Sequence, residues 1–170
     1  MSETDKPGET AGRSLGNRVG AWFFAGTVVF LFTAIGAALL SGEDSAADPD
    51  DAQQVARGKT VYDRNCASCH GTRLEGQANW QKKLPGGRMP APPHDASGHT
   101  WHHPDAVLFG ITKHGLVLGK YAPPGYQSDM PAYANTLSDE EIWAVLAYIK
   151  SSWPPAIRKA QQEVDARREQ

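Results

Sequence analysis

The stretch 62–71, YDRNCASCHG, holds both cysteines of a 170-residue chain, Cys66 and Cys69, with His70 directly after them. A disulfide between such near neighbours would close a tiny loop and contribute little to stability. Cys-x-x-Cys otherwise has three common uses: a redox dithiol, half of a zinc site, or the attachment point of a cofactor. A structural zinc site needs about four ligands, and no second Cys-x-x-Cys stands elsewhere in the chain. A thioredoxin-like dithiol wants a βαβ context, and no stretch of this sequence reads as a strand.

His70 decides between these uses. Cys-x-x-Cys-His is the attachment signature of haem c. Two thiols, here Cys66 and Cys69, add to the two vinyl groups of one haem, and the next residue, His70, reaches the iron as proximal ligand. Iron used for electron transfer is normally six-coordinate, and a thioether as second ligand raises the reduction potential. The chain has three methionines, Met1, Met89 and Met130. Met89 (GRMPAP) and Met130 (SDMPAY) are both followed by proline, so that feature does not separate them. Position does. Met130 lies in a loop anchored at the final helix and is the expected distal ligand. Met89 follows His70 so closely that crossing to the other haem face is harder. His94, His99, His102, His103 and His114 read as surface or hydrogen-bonded residues, with a second metal at His99, His102 and His103 as the lesser alternative.

Upstream, residues 1–18 form a polar tail, and residues 19–40 (VGAWFFAGTVVFLFTAIGAALL) carry no charge. A helix of about 20 residues crosses a hydrocarbon core of about 30 Å, so this run reads as a single transmembrane anchor. A cleaved secretory signal ending at Ser45-Ala46-Ala47 is the alternative, although a signal's apolar core is usually only about 7–15 residues. Arg13 and Arg18 precede the run, and Glu43, Asp44, Asp48, Asp50 and Asp51 follow it. The positive-inside rule then puts the N-terminus in the cytoplasm and the rest in the periplasm of an inner membrane. Residues 41–50 read as a linker, 51–153 as the folded domain and 154–170 as a charged tail.

Within the domain, a helix is expected from Asp51 to Asn65, with Val55, Val61 and Tyr62 as its apolar points. Thr72 to Ser97 is rich in Gly and Pro and reads as loop. Pro104 suits the first turn of a helix ending near His114, with Gly115 after it. Tyr121 to Thr136 is again loop. Asp139 to Ser152 is the clearest helix: Ser138 and Glu141 make a capping box, and Ile142, Val145, Leu146 and Ile149 mark an apolar face with Ala144 and Tyr148. Pro154 and Pro155 stop it. Ala156 to Gln170 suits either a solvated helix or a frayed tail. The fold class is all-α. A formal net charge of -2 gives no sign of nucleic-acid binding.

From Asp51 to Trp153 the sequence resembles the class I cytochrome c family. Gly58 and Tyr62 fit that family's first helix, Tyr148 fits the aromatic of its last helix, and Met130-Pro131 fits its distal Met-Pro. The resemblance implies a cytochrome c-like helical domain around one covalent haem c, with one haem edge near the surface. It also implies a proline whose carbonyl orients the proximal histidine, for which Pro85, Pro90, Pro92 and Pro93 compete. The segment 79–104 (NWQKKLPGGRMPAPPHDASGHTWHHP) exceeds what a minimal member needs and could shield the haem or dock a partner. The function expected is single-electron carriage rather than enzyme catalysis. Its partners would be a quinol-oxidising complex, a terminal oxidase or a periplasmic dehydrogenase, beside membrane lipid. The alternative is a haem c subunit of a larger membrane oxidoreductase or oxidase. An enzyme or gas sensor would need an open axial site, which Met130 argues against. Basic residues outnumber acidic ones between Arg73 and Ser128, including Lys82 and Lys83, which could favour an acidic partner or be a solvated mixed surface.

Overall fold

The computed structural model describes residues 46–168. The expected polar tail, the membrane anchor over 19–40 and the first half of the linker lie outside them. Among the described residues, no helix is long and apolar enough to cross a membrane.

The described elements are helical, with one isolated bridge, Leu118 to Ala122, and no named strand. Helix α1 spans Ala52–Asn65. It starts where the Asp51 carboxylate accepts from the N–H groups of Gln53 and Gln54, satisfying two donors the helix cannot pair. A one-turn helix α2, Ala67–His70, follows through Cys66 and ends at Gly71, whose φ of 82° suits glycine. A 3₁₀ turn at Thr100–His102 interrupts the long loop. Helix α3 is Asp105–His114 and α4 is Asp139–Ser151. The capping box at Ser138 and Glu141 is present with both reciprocal hydrogen bonds. Helix α5, Pro155–Arg168, begins at the second of the two prolines that end α4. Proline serves both functions, because the first turn of a helix does not need its N–H.

The frame is the crossing of α1 over α4. Gly58 makes it close: a Cβ there would stand 1.8 Å from the Ala144 carbonyl oxygen and 2.9 Å from Tyr148 Cβ. Beside it, Tyr62 and Tyr148 pack with ring centroids 5.3 Å apart. The main core joins Val61 and Tyr62 of α1, Leu74, Leu137, Ile142, Val145 and Ile149, and Trp153. A second cluster takes Leu146 and Ala147 of α4 with Leu108 of α3 and Ala47. Helix α4 is therefore buried on two sides. Complete burial of a side chain such as Ile142, which is 0% exposed, contributes roughly 1.5–3 kcal/mol.

Packing continues on either side of the stretch 51–153. Before it, Ala47 is buried and Gln54 Nε2 donates to Ala46 O at 2.8 Å. After it, Gln161 of α5 is fully buried. Pro104 offers α3 no side-chain cap. Asp165 of α5 supplies one from a distance, accepting from Asp105 N at 2.6 Å. Asp105 in turn pairs with Lys150 of α4 at 2.5 Å and accepts from Gln161 Nε2 at 2.7 Å. A polar network thus ties α3, α4 and α5 together.

Candidate functional site

The site is built at the end of α1. The chain leaves that helix at Cys66, makes the single turn α2, and delivers His70 into the interior at 8% exposure. Tyr62, inside the core, donates its hydroxyl to Gly71 O at 2.8 Å and so pins the far side of the turn to α1. Gly76 N donates to His70 O at 2.7 Å, and the loop folds back over the motif.

The His70 ring is held by Nδ1, 2.8 Å from Pro92 O. A carbonyl only accepts, so Nδ1 carries the proton and Nε2 keeps its lone pair. Burial lowers the His70 pKa, with the Pro92 hydrogen bond acting in the opposite direction. The result is a neutral imidazole, the form that binds metal. Of the four competing prolines, Pro92 is thus the one that orients His70. Its approach depends on Gly76, where a Cβ would stand 2.6 Å from the Pro92 carbonyl carbon and 2.4 Å from Pro93 N. The backbone of Leu74, at φ 69°, is also in a region side chains disfavour. Its buried side chain and the hydrogen bond from His94 N to Leu74 O (2.8 Å) hold it there.

Cys66, Cys69, His70 and Met130 all border one cavity of about 290 Å³. Cys66 and Cys69 are not joined in a disulfide, which leaves both sulfurs available to a cofactor. The cavity also takes in Met89, which the spacing argument had set aside. Bordering the cavity therefore does not by itself separate the two methionines. Two thiols, a neutral buried imidazole and a thioether around one apolar cavity form a donor set that fits a covalently attached haem.

The histidine-rich loop divides. His94 does not lie on the surface by itself: its ring stacks on that of His70 with centroids 4.0 Å apart, and Thr100 Oγ1 lies 2.9 Å from its Nδ1. Burial lowers its pKa well below the usual range, with His70 and His99 adding to the effect. Trp153 Nε1 donates to His94 O at 2.7 Å, so the chain just after α4 supports the His70 side of the cavity. His99 stacks on Trp80, and His102 stacks on Trp101. Among the described residues, no group of three or more His, Cys, Asp or Glu side chains could hold a metal ion, so a second metal at His99, His102 and His103 finds no support. His94 is hydrogen-bonded, as its sequence reading allowed, but its stacking on His70 was not legible there; nor was Tyr133, whose hydroxyl donates to Asn65 O at 2.7 Å beside Cys66. Tyr133 stands three residues after Met130, and an aromatic so close to a candidate ligand was the available signal.

Residues 55–153, more than half of the chain, match the family model described as Cytochrome c. Over 101 residues the chain is 36% identical to a protein of Azospirillum sp. (strain B510) described as a cbb3-type cytochrome c oxidase subunit CcoP, covering 58% of this chain and 29% of that protein. A protein of the same description from Azospirillum brasilense is 34% identical over 99 residues, covering 58% of this chain and 28% of the relative. The chain spans less than a third of the length of these relatives. No solved structure gives a significant match.

Proposed function

Because the chain belongs to the cytochrome c family, we propose that it carries single electrons through one covalent haem c, held by Cys66 and Cys69, with His70 and Met130 as axial ligands. The observation that carries this reading is the His70 ring, buried beside two cysteines that form no disulfide and fixed through Nδ1 on Pro92 O at 2.8 Å. Bound there, the haem would supply an iron that cycles between the ferric and ferrous states.

The chain's own residues set how readily that happens. Pro92 O holds the Nδ1 proton, which fixes the ring's tautomer and rotation and makes Nε2 a better donor. The Met130 thioether is a weak donor that favours the ferrous state. The apolar walls limit water at the site, which also disfavours the more highly charged ferric form. Held by both His70 and Met130, the iron would have no site left for a substrate, which favours electron transfer over catalysis.

The partner we favour is a terminal oxidase, since the relatives are described as oxidase subunits. Electrons would come from a quinol-oxidising complex or a periplasmic dehydrogenase. Residues 19–40 would anchor the chain in the inner membrane, N-terminus in the cytoplasm, and hold the haem domain over 51–153 in the periplasm. Anchoring raises the effective concentration of such a carrier beside its partners. The descriptions of the relatives also favour a second reading, a haem c subunit fixed within the oxidase itself.

Two measurements test these readings. Met130→Leu should remove the thioether-to-iron absorption band of the ferric protein and lower its reduction potential, while haem stays attached on denaturing gels. Retention of the band would move the distal ligand to Met89. Purification in mild detergent separates carrier from subunit: stable co-migration with an oxidase would sink the free-carrier reading.

A further inference from the structure

The residues just before Pro92 reach well beyond the His70 side of the cavity. Arg88 Nη1 donates to Ser128 O at 3.0 Å and pairs with Asp129 Oδ1 at 2.8 Å. Next to it, Met89 N donates to Gln127 O at 2.8 Å. Three successive residues ahead of Met130 are therefore tied to two successive residues of a segment about 40 positions earlier. That segment is itself folded back, with Leu84 N donating to Arg88 O at 2.9 Å and Gly87 N to Leu84 O at 2.8 Å. Gly87 has a φ of 84°, which the tight return requires.

On its other side, the Met130 loop is anchored to the end of α3, where Tyr133 N donates to Thr112 O at 3.1 Å and Ala134 N to Lys113 O at 2.9 Å. Met130 itself has only a local backbone tie, from its N–H to Ser128 Oγ at 3.1 Å. Its thioether thus hangs between two anchors, one at α3 and one at Arg88 and Met89. The α3 anchor is helical backbone. The other anchor combines the Met89 backbone bond with the Arg88 side chain, and the side-chain part is what a single substitution can remove.

We propose that Arg88 is a positioning residue for the distal ligand: by bridging Ser128 O and Asp129 it holds the 127–130 loop closed over the cavity and keeps the Met130 thioether in place. This rests on the reading of Met130 as the distal ligand. The two hydrogens of one guanidinium nitrogen, Nη1, can serve the Ser128 carbonyl and the Asp129 carboxylate together. The pair is exposed, with side chains 50% and 73% accessible, so its effect is small and graded. A modest effect is still readable, because a competing ligand binds only the fraction of molecules whose loop has opened, and its apparent affinity scales with that fraction.

Imidazole titrated into the full-length ferric holoprotein, followed by loss of the thioether band, reads that fraction. Arg88→Ala should bind imidazole about fivefold more tightly than the parent, the change expected for removing an exposed ion pair of this kind. Arg88→Lys should fall between the two. Lys82→Ala removes a nearby positive charge and should leave the affinity unchanged. An unchanged affinity in Arg88→Ala, or an equal gain in Lys82→Ala, overturns the proposal. The Met130→Leu spectrum keeps the two ideas apart. If that variant retains the band, the ligand reading fails and takes this proposal with it. If it loses the band while Arg88→Ala behaves like the parent, only the role of Arg88 falls.

Discussion

At the scale of single residues, one side of the cavity is a chain of supports ending at His70. Its imidazole stacks on His94 and is tied to Pro92, and His94 O takes the indole N–H of Trp153. Trp153 is 2% exposed, so its N–H has no water to turn to. Replacing it with Phe keeps most of the apolar contact but leaves the His94 carbonyl unpaired in the interior. Such an orphaned group costs roughly 1–3 kcal/mol. Trp153→Phe should therefore lower unfolding stability by about 2 kcal/mol in a denaturant titration. Its haem spectrum should change little, because Pro92 still holds Nδ1. The sequence shows Trp153 only as the last residue before two prolines. Its partner lies 59 positions away, and no local pattern encodes that bond.

At the scale of elements, the crossing of α1 over α4 decides whether the motif is delivered at all. The Gly58 position faces the Ala144 carbonyl oxygen, which belongs to the helix backbone and cannot rotate aside. A Cβ at 1.8 Å must push the helices apart, against a contact that buries Tyr62 and Ile142 completely. Gly58→Ala should cost at least the roughly 1–3 kcal/mol typical of overpacking, even after the gain in helix propensity. Thermal unfolding of the holoprotein checks this, and an unchanged midpoint would contradict the crossing. Both helices were legible in the sequence because their signals are local: apolar spacing for α1, and the Ser138 and Glu141 capping box for α4, whereas Asp51, read as the first residue of α1, caps it instead. Helix α5 was not. Its composition is polar almost throughout, and what orders it is Gln161 and Asp165 meeting residues of α3.

At the scale of the whole molecule, three helices meet at one buried ion pair, Lys150 with Asp105, 8% and 20% exposed. Burial raises the Asp105 pKa, and the hydrogen bond and charge of Lys150 pull it back down. Lys150→Met removes that compensation and leaves a carboxylate largely out of water, which typically costs about 3 kcal/mol. The sign of the pH dependence follows. With its folded pKa above the unfolded one, Asp105 keeps its proton in the folded state after the unfolded chain has lost its own. Stability therefore falls as pH rises through that window. The variant should be more destabilised at neutral pH than at a mildly acidic pH, because the raised Asp105 pKa lets the folded state hold the proton as the pH falls. Urea unfolding at the two pH values tests this. A deficit independent of pH would show that packing around the lysine stem, and not the unpaired charge, is responsible.

The sequence by itself determined the chemistry of attachment. Cys66, Cys69 and His70 fall within five residues, so one short stretch of chain carries the whole signature, and the helices before and after announce themselves through apolar periodicity and, for the last, its cap. Tertiary structure alone decided which of four prolines serves His70, that His94 joins the His70 side of the cavity, and that Arg88 meets the loop before Met130. Each of those contacts joins loop residues far apart in the chain. Loop backbone follows no period, so its partners are chosen by how the packed helices close the long segment over the cavity, which no stretch of sequence specifies locally.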